Sequence, residues 1–449
     1  MSDLRDEADA IYRALLERTG EGTPRPGLAP TRSALQLLGD PQRAYPVIQL
    51  TGTNGKTSTA RMIDALLRAH GLRTGRFTSP HIDRFTERIA IDGEPISDED
   101  LVRNWEEIEP FIAMADRALV EQGAHRLTYF EVLTVLAFAA FADAPVDVAV
   151  VEVGMGGEWD STNTADAEVA VFTPIDLDHT DRLGRTIAQI ATTKSGIIKP
   201  GARVVSAAQP PEAAAVLRAA AERFEATLNE EGAEFDLVED RVAVGGQLIT
   251  VRGRAARYAD VFLPLLGAHQ GQNAATAIAA VETFLGDGTQ PLTAELVEEG
   301  LAAASSPGRL QPVATGPSIV VDAAHNPHGA RALAAAIGEF FDFDGVALVI
   351  GVLADKDAEG ILRALQPVVD RVYLTRSESE RALDVEELDR IAQRVFPVDT
   401  VFVQDHLEDA LSAARDWAAE GDRRGVLVTG SITLIGEVNG IVEDRGWRE

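Results

Sequence analysis

The sequence predicts an α/β protein in two parts: an N-terminal phosphate-loop domain on a mainly parallel sheet with a small antiparallel extension, then a Rossmann-like domain. Three observations predict it. Short apolar, β-rich runs that end in turn residues recur between helical stretches, which is the rhythm of βα units. One such run leads through a Gly-containing loop with a lysine into a helix. A stretch rich in small residues, Pro and Gly at 302–317 interrupts the rhythm, which then restarts. At roughly 150 residues per domain, 449 residues allow two or three domains.

In chain order, the opening MSDLRDEADAIYRALLERTG lacks the basic and apolar segments of a signal peptide. It reads as an acidic amphipathic helix, and a cytoplasmic location is expected. The run 47–51 is the first strand, followed by a turn and a helix over 56–69. Residues 146–153 are almost continuously apolar, as a strand buried on both faces requires, and 167–173 is its neighbour. A strand at 202–206 precedes an Ala-rich helix at 211–223. Within 240–263, RVAVGGQLITVRG alternates apolar and polar residues around Gly245-Gly246, the signature of a hairpin and hence of the antiparallel extension. After the interruption, strands are expected at 318–322, 346–352, 371–375, 400–403 and 425–429. The expected domains are 1–303 and 318–449, joined by a linker at 304–317.

Composition excludes several classes. Seventy-one Asp and Glu against 41 Lys and Arg give a net charge of −30, which repels phosphate backbones and anionic lipid. No apolar run approaches the ~18 residues of a bilayer span. Nucleic acid and membrane partners are therefore not expected; a monomer acting on small-molecule substrates is the expectation, which the charge does not itself establish. The chain has no cysteine, so disulfides, thiolate zinc sites and thiol nucleophiles are excluded. A metal must rest on Asp, Glu, His or hydroxyl ligands, a set suited to hard cations such as Mg²⁺.

The loop TGTNGKTS, comprising Gly52, Thr53, Asn54, Gly55, Lys56, Thr57 and Ser58 after Thr51, lies between a strand and a helix. Backbone N–H groups at such a helix start point at anionic oxygens, Lys56 adds a full charge, and Thr57 or Ser58 can set a hydroxyl near Mg²⁺. The spacing departs from G-x4-G-K-[ST], because Leu50 stands where the first Gly would be. Glu152 closes one buried strand and His179 follows the next, which puts both at the carboxyl edge of the sheet beside the loop. Taken singly, Glu152 can be a solvated strand end and His179 a surface residue.

This loop resembles that of the Mur ligase superfamily. Further stretches resemble its folylpolyglutamate synthase/dihydrofolate synthase branch: Thr78-Ser-Pro-His81 with Glu87-Arg88-Ile89, Leu127-Thr-Tyr-Phe-Glu131, Glu152-Val-Gly-Met-Gly-Gly157 with Asp160-Ser-Thr-Asn163, Asp178-His-Thr180, Lys194-Ser-Gly-Ile-Ile198, His269-Gln270 with Asn273-Ala274, Pro307-Gly-Arg309, and Asp322-Ala-Ala-His-Asn-Pro327. About 50 residues precede the loop, too few for the extra nucleotide-sugar domain of cell-wall Mur ligases. The resemblance implies an ATP- and Mg²⁺-dependent enzyme joining L-glutamate to dihydropteroate, to a folate polyglutamate, or to both, through an acyl phosphate. Another Mur-type amino-acid ligase, or a nucleotide-binding scaffold without chemistry, is the alternative.

Residue by residue, the resemblance makes Ser79, Glu152 and His179 metal ligands and makes Lys194 a carbamylated lysine that serves a second Mg²⁺. Read without it, Lys194 is a solvated helical lysine, and its setting Thr193-Lys194-Ser195-Gly196 departs from the usual Glu-Lys-Ala-Gly. Asn273, Arg309, Asp322 and His325 would meet ATP from beyond the first domain's loop, although Asp322 can equally cap the next helix. Thr128, Tyr129, Phe130, Glu131, Trp159, Asp160 and Ser161 match stretches that contact dihydropteroate, with residues 23–26 a looser match. A flat pterin can stack on Tyr129, Phe130 or Trp159 while Asp160 or Glu131 accepts its ring donors. Glu158-Trp159 stands where many members carry a basic residue. The segment 351–357 resembles another family motif, with no role attached.

Overall fold

The computed structural model describes residues 2–20 and 25–448. Its largest sheet holds β1 (Val47–Thr51), β2 (Thr74–Phe77), β3 (Ile89–Ile91), β4 (Glu94–Pro95), β5 (Val148–Glu152), β6 (Val169–Phe172), β7 (Arg203–Ser206) and β8 (Thr227–Glu230), in the order β4-β3-β2-β5-β1-β6-β7-β8. All pairs are parallel except the β2–β3 and β3–β4 edge. The central strands read as unbroken apolar runs because helices cover both faces. Helices Ala29–Leu37, Asp98–Glu121 and Tyr129–Asp143 bury one face, and Lys56–Ala69 with Ala268–Gly286 bury the other. Register sets Leu50 of β1 opposite Glu152 of β5, and Thr51 opposite Phe172 of β6. Three strand ends therefore deliver the phosphate loop, Glu152 and the segment before His179 to one edge.

The hairpin around Gly245 is present, but it belongs to a separate sheet. Strands β9 (Asp236–Ala243), β10 (Gly246–Arg252) and β11 (Arg257–Leu263) pair antiparallel in the order β11-β10-β9. Ile249 and Val251 drive this sheet into the core beside helix Ala268–Gly286, while Val244 at the hairpin tip is fully exposed. The antiparallel addition to the main sheet is β3–β4, whose two- and three-residue strands are too short to carry a pattern.

Beyond residue 310, β12 (Gln311–Thr315), β13 (Ser318–Val321), β14 (Gly345–Ile350), β15 (Arg371–Leu374), β16 (Val401–Val403) and β17 (Arg424–Thr429) form a sheet ordered β12-β13-β17-β14-β15-β16. Its five consecutive strands from β13 to β16 are parallel, as the restarted βα rhythm implies. The stretch 304–317 differs from a free linker. Thr315 pairs with Ser318 across Gly316-Pro317, so its turn residues close a β12–β13 hairpin, and Pro312 is tolerated because β12 is an edge strand. No helix among the described residues is long and apolar enough to cross a membrane.

Candidate active site

Loops from the carboxyl ends of both parallel sheets line one cavity of about 430 Å³. At the end of β1 the chain turns through Gly52, whose φ of 155° brings it against Thr173. A Cβ there would overlap the Thr173 hydroxyl and lie 2.8 Å from its carbonyl oxygen. Thr53 N–H donates to the Pro174 carbonyl at 2.9 Å, which pins the loop to the strand-end beside it. Gly55, with φ 87°, then starts helix Lys56–Ala69 and leaves its first N–H groups open to an anion.

Two ammonium groups converge on one oxygen. Lys56 Nζ donates to the carbonyls of Gly52 and Thr53 at 3.1 Å, and Lys194 Nζ donates to that of Gly52 at 2.7 Å. Lys194 is only 4% exposed, so it is not the solvated lysine its local sequence permits. Burial, reinforced by the charge of Lys56, lowers its pKa to about 7; burial also lowers that of Lys56, against the pull of Glu152 and Asp178. Glu152 is buried and accepts from the Thr57 hydroxyl at 2.9 and 3.1 Å and from Ser79 N–H at 3.4 Å. Burial raises its pKa and the charge of Lys56 opposes the rise. His179, in a left-handed turn with φ 48°, is held neutral by burial, its pKa lowered to about 3 despite Asp178 beside it.

Asp178 joins the domains. It accepts from Lys356 Nζ at 2.8 Å and Asn326 Nδ2 at 3.3 Å, and lies 3.6 Å from His325 Nε2. Burial alone would raise its pKa, but His325, His179 and Lys356 hold it far below the usual carboxylate range. Asn54 of the phosphate loop and Asn326 exchange reciprocal amide hydrogen bonds at 3.1 Å.

On the side away from the second domain, Thr128 and Glu131 form a capping box at the start of helix Tyr129–Asp143, with Thr128 N–H donating to Glu131 at 2.7 Å. Phe130, Trp159 and Ser161 line the cavity. Asp160 lines it too, while bracing its own loop by accepting from Met155 N–H at 2.9 Å and Thr162 N–H at 3.0 Å. Arg25 represents the 23–26 segment there, since residues 23 and 24 lie outside the described residues.

Three expected contacts do not line the cavity. Tyr129, one helix position from Phe130, turns into the core, with its ring 6.5 Å from that of Tyr12 and beneath Arg88. Asn273 backs the phosphate loop: a Cβ on Gly55 would come within 2.6 Å of its Oδ1. Asp322 accepts from the N–H groups of Leu310 and Ala324, each at 2.8 Å, and so fixes the loop that carries Arg309 into the cavity. The helix cap is Asn326, which accepts from Gly329 N–H at 2.8 Å. The remaining expected site residues all face the cavity.

Sequence reasoning attached no role to Lys356, within the 351–357 segment it singled out, and missed Arg182, Ser379, Arg381, Ser431 and Thr433 on the wall. All but Arg182 follow the ends of β14, β15 and β17, and the rule that α/β ligands sit at carboxyl strand ends points to those loops. Eight Lys and Arg against four Asp and Glu line the cavity of a chain whose net charge is −30, which selects an anionic ligand.

Comparison with known proteins agrees. The Mur ligase middle domain matches residues 50–281, and the "Mur ligase, glutamate ligase domain" matches 308–432. The dihydrofolate synthase/folylpolyglutamate synthase of Mycobacterium tuberculosis is 47% identical over 447 residues, covering 95% of this chain and 92% of that protein. The M. tuberculosis folylpolyglutamate synthase structure complexed with ADP superposes with a TM-score of 0.93 at 44% identity, over 98% of each chain. Escherichia coli FolC in complex with DHPP and ADP gives 0.84 at 31%, over 97% of this chain and 98% of that one. With both Mur ligase domains in series and likeness running along nearly the whole length, the chain belongs to the dihydrofolate synthase/folylpolyglutamate synthase family of Mur ligases.

Proposed function

We propose that this protein is an ATP-dependent ligase that joins L-glutamate to dihydropteroate and to reduced folate polyglutamates, carrying out both reactions of its family. The observation that carries the reading is one cation-rich cavity with a phosphate loop and Glu152 at its base, an aromatic wall of Phe130 and Trp159 on one side and the second domain on the other. ATP binding is supported by the ADP-bound relatives, and a pteroate site by the E. coli relative solved with DHPP.

The γ-phosphoryl group of ATP passes to the substrate carboxylate, the amine of glutamate attacks the acyl phosphate, and phosphate leaves. The loop N–H groups and Lys56 hold the phosphates, and Arg309 reaches them from the second domain. Phe130 and Trp159 flank the pterin, and closure around the Asp178–Lys356 contact keeps water from the acyl phosphate. A hard divalent cation fits the donors at hand: the Thr57 hydroxyl and Glu152 are oxygen ligands that already meet, and phosphate oxygens complete such a shell. When bound, such a cation neutralises the phosphoryl charge. Ser79 and His179 complete this reading of the metal site, with Lys194, as a carbamate, serving a second ion. A cytoplasmic monomer is part of the proposal.

Incubating the purified protein with ATP, Mg²⁺, glutamate and either dihydropteroate or a reduced folate tests it. Both acceptors should gain glutamate with stoichiometric phosphate release. Turnover of only one would reduce the proposal to a single activity, and of neither would overturn it.

A further inference from the structure

We propose that Arg381 sets the amino-acid specificity of the reaction by binding the side-chain carboxylate of the incoming glutamate. The proposal rests on the ligase reading above. An incoming glutamate carries two carboxylates into a protein of net charge −30, so the pocket must supply cations locally. The matching second domain is a glutamate ligase domain, and it brings three Lys or Arg side chains to the cavity among the described residues: Arg309, Lys356 and Arg381.

Two of these are committed elsewhere. Arg309 acts electrostatically on both Lys56 and Glu152, which places it at the phosphate end. The charge of Lys356 is matched at 2.8 Å by Asp178, with both side chains under 10% exposed. Arg381 differs from both. Its side chain is 48% exposed at the rim, and its partner at 2.8 Å, Asp355, is 39% exposed, so water can replace that contact at little cost and a substrate carboxylate can take its place.

Its backbone, in contrast, is fixed. Arg381 N–H donates to the Ser379 hydroxyl at 3.2 Å, its carbonyl accepts from Ala354 N–H at 2.9 Å, and Leu383 N–H donates to Val352 at 2.8 Å. These bonds zip the loop after β15 to the loop after β14, so a half-exposed guanidinium is carried on a hydrogen-bonded backbone at the cavity. The reacting amine must sit near the phosphates, deep in the cavity. Of the two carboxylates of glutamate, the side-chain one lies farther from that amine and is the one a rim cation can reach. A guanidinium fork suits it, since it binds a carboxylate through two N–H groups at once.

Arg381→Gln should raise the KM for L-glutamate about 10- to 100-fold, leave the KM for ATP within twofold, and erase most of the preference for glutamate over its neutral isostere L-glutamine. Asp355→Asn breaks the same ion pair while keeping the arginine, and should preserve both the glutamate KM and the preference. An unchanged glutamate KM in Arg381→Gln, an equal rise in the ATP KM, or an equal defect in Asp355→Asn would each overturn the assignment, the last by showing that the ion pair matters only structurally. If the wild-type protein joins no amino acid to either acceptor, the ligase reading fails as well, which separates the two failures.

Discussion

Lys194 is the penultimate residue of helix Ile187–Ser195, its amine buried against the Gly52 carbonyl, and a pKa of about 7 leaves a large neutral fraction at ordinary pH. Only a neutral amine adds carbon dioxide, so burial favours the carbamylation proposed for this lysine, which the sequence suggests only through the resemblance of its Lys194-Ser-Gly-Ile-Ile stretch. Lys194→Ala should be nearly inactive and regain part of its turnover when a short carboxylic acid such as acetate fills the vacated space. Full activity without the acid would return the residue to a structural role. His179 gives a pH prediction. It stays neutral in the folded protein down to about 3, whereas in the unfolded chain it protonates below its ordinary 6.5. The unfolded state therefore binds more protons between those values, and stability falls as pH drops through that window. The carboxyl of Asp178, held low, adds a loss in the same direction, but only below the ordinary carboxylate range. His179→Gln should lose less Tm than wild type between pH 7 and pH 5, and parallel melting curves would sink the idea. At this scale sequence reading located nearly all of the N-terminal wall. It failed at Tyr129 because one helix position, about 100° of rotation, decides between core and cavity.

The loop from β1 to helix Lys56–Ala69 was legible because its glycines, lysine and flanking periodicities are all local. Its tightest demand is not local, since it is Thr173 on the adjacent strand-end that leaves no room for a side chain at Gly52. Gly52→Ala should cost about 1–3 kcal/mol of stability and abolish the rise in Tm that ATP gives the wild type. A ligand-induced shift equal to wild type would show that the loop absorbs the methyl group. Long buried strands such as β5 and β14 announced themselves as continuous apolar runs. Strands β2, β3 and β4 did not: β2 is Thr-Gly-Arg-Phe, with no apolar run, and β3 and β4 are three and two residues long and draw their pairing from neighbours. Ser379, Arg381 and Thr433 were silent for a related reason. Nothing in a loop's own residues states which opposing domain it will face.

For the whole molecule, the Asp178–Lys356 pair is where two separately cored domains meet around the cavity. Removing one member of a buried pair strands the other, so Asp178→Asn should destabilise by about 3–5 kcal/mol and slow turnover. Adding Lys356→Met should recover most of that stability without recovering rate. A single variant as stable as wild type in denaturant titration would mean the pair is solvated. The domains meet through this pair, other polar contacts and the packing of Ile82 and Leu266 on the second domain's cores, and the degree of opening around the cavity becomes a variable worth watching directly. Val244, at the fully exposed tip of the β9–β10 hairpin, offers the means. The chain contains no cysteine, so Val244→Cys creates a single thiol, and Val398→Cys, at a 67% exposed position in the second domain, creates another. A fluorophore pair on these two sites would let individual molecules report the swing of one domain against the other while every native residue of the cavity stays in place.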